Sequence, residues 1–431
     1  MNDLATTDNP EATKLSVGKP WFPWSPNTPE GRLTITRGSG ARVWDHEGRE
    51  YLDASNLSLT CGYANARVVK AVADQLGVLH GVDLSTANHP RVGELAARVG
   101  AALPPSLSHT LFLNSGSEAI EAALFVSMRS RRLSGDVRDR VVTMERGYHG
   151  STLLTRSLSG LPATGHDLDD PMGVVRIPLL AQGAAVRSAE GCTQLLGEFE
   201  AVFNDGPPPA AVVIEPLLNV GGGVVFPSGF LSGLRRLCTS FGTHLIIDEV
   251  FTGWARTGRM FAIEHEGVVP DVLVTSKGLG GGYVPISSVT ASEQIHEAIG
   301  QDALFGGLRY GHTTSGHAAA CAGALAVLDV IEEEDLVAHA ERQGAALLAA
   351  LDRLAEANDA VVDARGLGLI AVLEFADADA ASDVMRRAQH EGVLLRQQGP
   401  SVFVVPPVNA SPEELDLIID RVGGAVCASA V

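Results

Sequence analysis

Apolar and polar positions change rhythm three times along the chain. Over residues 32–55 they run as LTIT, ARVWD and EYLDA, with the turn His46-Glu47-Gly48 before the last. Alternate residues of a strand face opposite ways, so this stretch predicts a small meander. From about 90 to 320, short apolar runs follow one another: LFL (111–113), RVVTM (140–144), AAVVIE (210–215), HLIID (244–248), DVLVT (271–275) and SSVTA (287–291). Helical stretches such as EAIEAALFVSMRSRR (118–132) and FLSGLRRLCTSFG (230–242) lie between most of them. That alternation predicts an α/β fold, a mostly parallel sheet covered by helices. Ligands of such sheets bind beyond the carboxyl ends of the strands. After about 316 a long helical run, GHAAACAGALAVLDVIEEEDL, leads to strand-like LGLIAVLEF, VLLRQQ and SVFVVPP. A last helix, SPEELDLIIDRVG, opens with Ser411, Pro412 and Glu414 in capping-box spacing. This final part reads as a smaller α+β lobe.

Residues 1–18 read as a flexible arm, followed by Trp21, Phe22 and Trp24. Aromatics make up only 5% of the chain, so this cluster is either a hydrophobic anchor for the arm or the lining of a pocket.

Composition narrows the function classes. A length of 431 residues exceeds what one core usually supports, and 45% hydrophobic content supplies ample core material. The net charge of 32 − 51 = −19, with no basic stripe, argues against nucleic acid as a partner. No run of about 18 apolar residues occurs, so no membrane span is expected. The polar, acidic start lacks the apolar stretch of a signal peptide. Cys61, Cys192, Cys238, Cys321 and Cys427 are scattered without C-x-x-C or metal-type spacing. An odd count of that kind fits reduced thiols and a cytoplasmic protein. The basic residues carry the sharpest signal: the four lysines are at 14, 19, 70 and 277. If the body of the protein needs an amine nucleophile, it is Lys277.

The strand ends hold the remaining chemistry. LFL runs into Asn114-Ser115-Gly116-Ser117-Glu118, where Ser115 and Glu118 have capping-box spacing. Such a start is a plain N-cap when taken alone, and it also suits a bound phosphate. Tyr148 lies between Gly147 and Gly150 after RVVTM, either a loop aromatic or a ring to stack on a flat ligand. AAVVIE ends at Glu215 and HLIID at Asp248, and a carboxylate at the end of an apolar strand needs a partner. DVLVTS delivers Lys277, followed by GLGGGY. Gly278, Gly280 and Gly282 are not a dinucleotide fingerprint, because a strand-like segment and Pro285 follow in place of a helix. A phosphate seat, a stacking ring, a buried carboxylate and one lysine match pyridoxal phosphate, which condenses with lysine and needs an acidic partner at its ring nitrogen.

These residues sit in stretches that resemble the class III (ω-type) aminotransferases, pyridoxal-phosphate enzymes of fold type I. The stretches are NSGSEAIEAAL (114–124), GYHG (147–150), IEP (214–216), IIDEVFTGWARTG (246–258), PDVLVTSKGLGGGYVPIS (270–287), GHTTSGHAAA (311–320) and LLRQQGPSVFVVPP (394–407), in family order over roughly 30–420. The resemblance implies a large cofactor-binding domain with a seven-stranded-type sheet at 76–322. Residues 1–75 and 323–431 would supply the smaller domain.

It further implies that Lys277 forms the Schiff base and shuttles the proton, and that Asp248 partners the pyridine nitrogen with support from Glu215. Val250 would pack on the ring face opposite Tyr148. Ser115, Gly116 and Ser117 would seat the phosphate, and Thr313 would reach the phosphate of a neighbouring subunit in a homodimer with shared active sites. Arg396 resembles a mobile, carboxylate-binding arginine, with a surface role as the alternative, and Trp24 would join it at the substrate. The implied reaction is ping-pong transfer of an amino group from a small amine or amino acid to a keto acid or aldehyde. The alternative is an aminomutase of the glutamate-1-semialdehyde type. Three departures concern specificity: Asp53 to Leu59 lacks the aromatic frequent in the family, Gly62-Tyr63 replaces a usual Gly-His, and Phe403 stands where acetylornithine-type members carry arginine. The last argues against acetylornithine or ornithine and leaves the donor open.

Overall fold

The computed structural model describes residues 21–24, 32–165, 172–179 and 186–427, so the arm at 1–18 lies outside the described residues. Strands β1 (Ile35–Ser39), β2 (Arg42–Asp45) and β3 (Glu50–Asp53) form the antiparallel meander, and Gly48 turns the chain at φ 83°. The first strand lies later than LTIT. Its residues are largely exposed, so pairing of Gly38 and Ser39 with β2 sets its limits, not apolar rhythm.

The main sheet contains β4 (Leu107–Leu113), β5 (Val141–Met144), β6 (Val174–Ile177) and β7 (Ala211–Ile214). After a two-residue pair, β8 (Leu217–Leu218) and β9 (Val224–Val225), it continues with β10 (His244–Asp248), β11 (Val272–Thr275) and β12 (Ser287–Ser292). The order across this seven-stranded sheet is β4-β12-β11-β10-β7-β5-β6. Only β12 runs antiparallel to its neighbours; every other pairing is parallel. Every residue of β5, β7 and β11 is buried, because helices cover both faces of a parallel sheet. The expected strands all form, and β6 adds one the pattern did not announce. It lies on the sheet edge with an exposed Arg176, so it carries no continuous apolar run.

The long run after 316 divides into two helices, Ala318–Glu333 and Leu336–Glu356, where Asp335 takes φ 49°. The chain then forms β13 (Val361–Leu367) and β14 (Ile370–Phe375), so LGLIAVLEF straddles a hairpin. Gly368 makes its turn at φ 58°, where a Cβ would come within 2.4 Å of the Thr257 backbone. VLLRQQ is also divided. β15 (Val393–Leu394) pairs in parallel with β3, while β16 (Arg396–Gln398) pairs with β17 (Ser401–Val404), which in turn pairs with β14. The first meander and the last quarter of the chain thereby share a sheet. In the terminal helix Pro412–Cys427 the capping box closes both ways, Glu414 N–H donating to Ser411 Oγ (3.2 Å) and Ser411 N–H to Glu414 Oε2 (3.1 Å).

One buried arginine ties these parts together. Arg256 donates from Nη2 to the Leu59 carbonyl (2.9 Å) and from Nη1 to those of Leu369 (3.3 Å) and Pro406 (2.5 Å). Burial without a carboxylate pulls its pKa down to about 9. No described helix is long and apolar enough to cross a membrane.

Candidate active site

Because the strands run parallel, the loops after β4, β5, β7, β10 and β11 open at one edge of the sheet. That edge gathers most of the residues singled out above.

After β4, Ser115 caps the helix Gly116–Leu133 and the capping box is complete: Glu118 N–H donates to Ser115 Oγ (3.3 Å), and Glu118 Oε2 accepts from Ser115 N–H (3.0 Å) and Asn114 N–H (3.0 Å). The backbone N–H groups of the first turn have no partner within the helix, which leaves those of Gly116 and Ser117 for a ligand. A Cβ on Gly116 would lie 3.1 Å from Val250 Cγ1, so the glycine lets the Val250 side chain approach. Ser117 Oγ accepts from Ser151 N–H (3.0 Å), and Ser151 Oγ pairs with the Tyr148 hydroxyl (2.9 Å). The tyrosine is thus tethered to the helix start.

Asp248 ends β10 buried, with Oδ2 2.8 Å from His149 Nδ1 and Oδ1 accepting from Val250 N–H (3.0 Å). His149 is itself held, its Nε2 3.1 Å from Thr143 Oγ1 and its N–H donating to Ser159 Oγ (3.0 Å). The carboxylate demanded a partner, and the histidine of GYHG is that partner. Glu215 accepts from Tyr148 N–H (3.0 Å) and Asn219 N–H (3.2 Å), and burial raises its pKa above the usual carboxylate range.

Lys277 follows β11 at φ 28°, in the left-handed region. Non-glycine residues held there cost of order 1–3 kcal/mol and cluster at functional sites. Its Nζ lies 5.3 Å from the Phe251 ring centroid. Burial lowers its pKa; the charges of Asp248 and Glu215 oppose this, and Arg396 adds to it. Arg396, just past the β15–β16 break, is half-buried beside Tyr148 and has no ion-pair partner among the described residues. Burial lowers its pKa as well.

Trp24 also comes to this place, its ring edge-on to Tyr148 at 5.9 Å, while Trp21 is 91% exposed. Thr313 does not join within one chain: it is exposed, and its neighbour Thr314 donates to Asn114 Oδ1 (2.8 Å). Phe403 is buried with Ile370, Val372 and Phe251.

Sequence reasoning passed over two groups. His149 was visible only as a letter of a motif, although its place after a strand end was a usable signal. Glu249, fully buried next to Asp248, accepts from Thr252 Oγ1 (2.6 Å), Ala262 N–H (2.9 Å) and Ile263 N–H (2.8 Å), and burial raises its pKa to about 7. No local pattern announces that cage.

The set fits pyridoxal phosphate: free helix N–H groups for a phosphate, a buried carboxylate for a ring nitrogen, and a lysine whose burial favours the neutral amine. The comparisons agree. The class-III aminotransferase model matches residues 25–426. An adenosylmethionine-8-amino-7-oxononanoate aminotransferase of Nitratidesulfovibrio vulgaris is 35% identical, covering 91% of this chain and 77% of that one. An omega-aminotransferase of Caulobacter vibrioides is 32% identical (93% and 95%), and a beta-alanine–pyruvate aminotransferase of Pseudomonas aeruginosa 30% (99% and 99%). The crystal structure of an amine transaminase from an uncultivated Pseudomonas species, in its PLP-bound form, superposes with TM-score 0.91 at 30% identity, covering 96% of this chain and 99% of that one. A Pseudomonas jessenii omega transaminase in complex with PMP gives 0.90 at 30% identity (95% and 96%). A likeness that spans the sheet, both lobes and the strand-end loops leaves one assignment: the chain belongs to the class-III aminotransferases and is a pyridoxal-phosphate-dependent transaminase.

Proposed function

We propose that this transaminase works with Lys277 as the attachment point and proton carrier, Asp248 as the ring-nitrogen partner and Arg396 as the substrate-carboxylate contact. When bound, pyridoxal phosphate supplies a carbonyl carbon that takes the amino group and a ring that accepts the electrons left when a proton departs. The residues supply the rest. Gly116 and Ser117 bind the phosphate with backbone N–H groups, with Ser115 completing the seat. Tyr148 and Val250 would hold the ring. Asp248, fixed in direction by His149 and the Val250 N–H, keeps a proton at the ring nitrogen. Glu215 supports it from the neighbouring strand end. With the cofactor bound, Lys277 would be the base that takes the proton from the donor carbon and gives it back, a task that requires its neutral amine. A keto acid or aldehyde then reverses the sequence.

Trp24 and Arg396 flank the substrate on the Tyr148 side. Thr313 serves the phosphate of a partner subunit, which makes the working form a homodimer with shared sites. The site lies where 76–322 meets the smaller domain of 1–75 and 323–431, and the enzyme acts in the cytoplasm. The relatives carry different donors and acceptors in their names, so family membership leaves the donor undecided.

One observation carries this reading. Lys277 follows β11 and Asp248 ends β10, adjacent parallel strands in which Asp248 pairs with Val274, and the lysine lies within electrostatic reach of that carboxylate. The test is borohydride reduction of the holoenzyme followed by peptide mapping. The cofactor is expected on Lys277; fixation on another residue, or none, refutes the assignment. Turnover is expected to require an added keto acid or aldehyde, which separates transfer from the isomerisation of a mutase.

A further inference from the structure

Away from the Lys277 centre, three metal-binding side chains meet where β12 turns into the helix Glu293–Gly300. His109, in the edge strand β4, pairs with Ala291 across the antiparallel ladder. Ser292 then caps the helix, its Oγ accepting from Ile295 N–H (3.4 Å). The first turn returns Glu293 and His296, three residues apart and so on one helix face, towards His109. Glu293 Oε2 is 2.9 Å from His109 Nε2, and Glu293 Oε1 is 3.8 Å from His296 Nδ1. One ligand atom from each residue lies within 4.8 Å of the others, the only such group of three among the described residues. Ser108 Oγ donates to Glu293 Oε2 (3.0 Å) and so fixes the carboxylate from behind. The two imidazoles stack at 3.4 Å between centroids, 6° from parallel. Beside them runs an apolar cavity of about 250 Å³ lined by Leu111, Val126, Ile295 and Ile299.

We propose that His109, Glu293 and His296 form a divalent transition-metal site, with two imidazole nitrogens and one carboxylate oxygen as ligands and the remaining positions open to solvent. Two imidazoles of three ligands select ions of the zinc, nickel and copper kind over magnesium or calcium. Bonds of about 2.0–2.2 Å in tetrahedral geometry place ligand atoms about 3.3–3.6 Å apart, and one atom from each of the three residues lies within 4.8 Å of the others, so small side-chain rotations would bring them to that spacing. Imidazole lone pairs lie in the ring plane, so two parallel rings cannot point at one ion. Metal binding would therefore have to splay the stack. His296 is on the exposed face of its helix, where a rotamer change meets little resistance. Bound metal would pin β4 to the helix; an edge strand is otherwise paired on one side only, and this one runs through Leu113 into the Ser115–Ser117 seat. The proposal is independent of the aminotransferase reading.

Tag-free holoenzyme, stripped with chelator, is titrated with Zn²⁺ by calorimetry, and bound metal is counted after dialysis. One ion per chain is expected. The double substitution His109→Gln with His296→Gln should weaken that binding at least tenfold. Ser108→Ala should weaken it by about tenfold through loss of the group that orients the carboxylate. Cofactor absorbance shows that each variant is folded, since none of these residues belongs to the cofactor site. No stoichiometric ion in the wild type, or an ion bound equally well by the double variant, overturns the proposal.

Discussion

The role of Arg396 can be tested by Arg396→Gln, which keeps much of the side-chain length while removing the charge. The guanidinium is half-buried next to Tyr148, near enough to Lys277 to lower its pKa, and no acidic side chain among the described residues pairs with it. A desolvated cation without a partner is poised for a substrate carboxylate. Hydrogen bonds to charged groups contribute about 1.5–3 kcal/mol. With about 1.4 kcal/mol per tenfold, losing the contact should lower kcat/KM roughly 10- to 150-fold for donors and acceptors that carry the carboxylate. An amine of similar shape lacking a carboxylate should lose nothing of that size. The assay is the single half-reaction, followed by the change in cofactor absorbance, with an amino acid and its decarboxylated counterpart run side by side. The same substitution removes a positive neighbour and should move the Lys277 pKa upward. Equal losses for both donors would mean that Arg396 acts on the lysine or the fold. No loss for either would remove it from the site.

Four further outcomes follow from the same geometry. Gly150 has φ 136°, and a Cβ there would lie 2.4 Å from Ser117 Oγ and 2.6 Å from Thr155 Oγ1, so Gly150→Ala should weaken pyridoxal-phosphate affinity, measured by equilibrium titration of the apoenzyme; unchanged affinity would contradict the tight seat. Arg256→Lys replaces a fork that reaches three carbonyls by a single ammonium, and should cost about 2–4 kcal/mol from lost charged hydrogen bonds and unpaired carbonyls, read as a lower denaturant midpoint. Burial pushes the thiols of Cys61, Cys238 and Cys321 up to about 12, so a maleimide at pH 8 should label exposed Cys427 in the native protein and reach those three only on unfolding, as mass spectrometry would resolve. Glu249 has a folded pKa of about 7 against an ordinary 4.5, so the fold holds a proton that the unfolded chain releases between these values. Its contribution is full below pH 4.5 and is lost as pH rises through 7, at up to about 1.4 kcal/mol per pH unit. Stability measured from pH 5 to 7 should fall more steeply in the wild type than in Glu249→Gln, and parallel curves would refute the assignment.

What could be read from the chain was what depends on near neighbours. Both capping boxes are relations between residues three apart, and both form as spaced. The apolar runs of the buried strands were legible because a strand covered on both faces has no polar alternative. That Asp248 and Lys277 stand at strand ends followed from the same runs. Relations across long separations were not legible. His149 meets Asp248 across 99 residues, and Arg256 meets Pro406 across 150. VLLRQQ reads as one strand, yet its halves join different sheets, because the partner available changes at Leu395 and the side-chain pattern does not.

The sequence by itself therefore determined the chemistry on offer and the edge where it gathers. One lysine after position 70, at the end of an apolar strand, restricts the amine, and parallel strands bring their carboxyl ends together. Tertiary structure alone decided which group answers which: the histidine that holds Asp248, the cage around Glu249, the arrival of Trp24 at Tyr148 and the placing of Arg396 beside Tyr148 with no ion-pair partner among the described residues. The physical reason is burial. A polar or charged group removed from water must find its partner in space, and the backbone path that brings the partner is set by the packing of the whole chain.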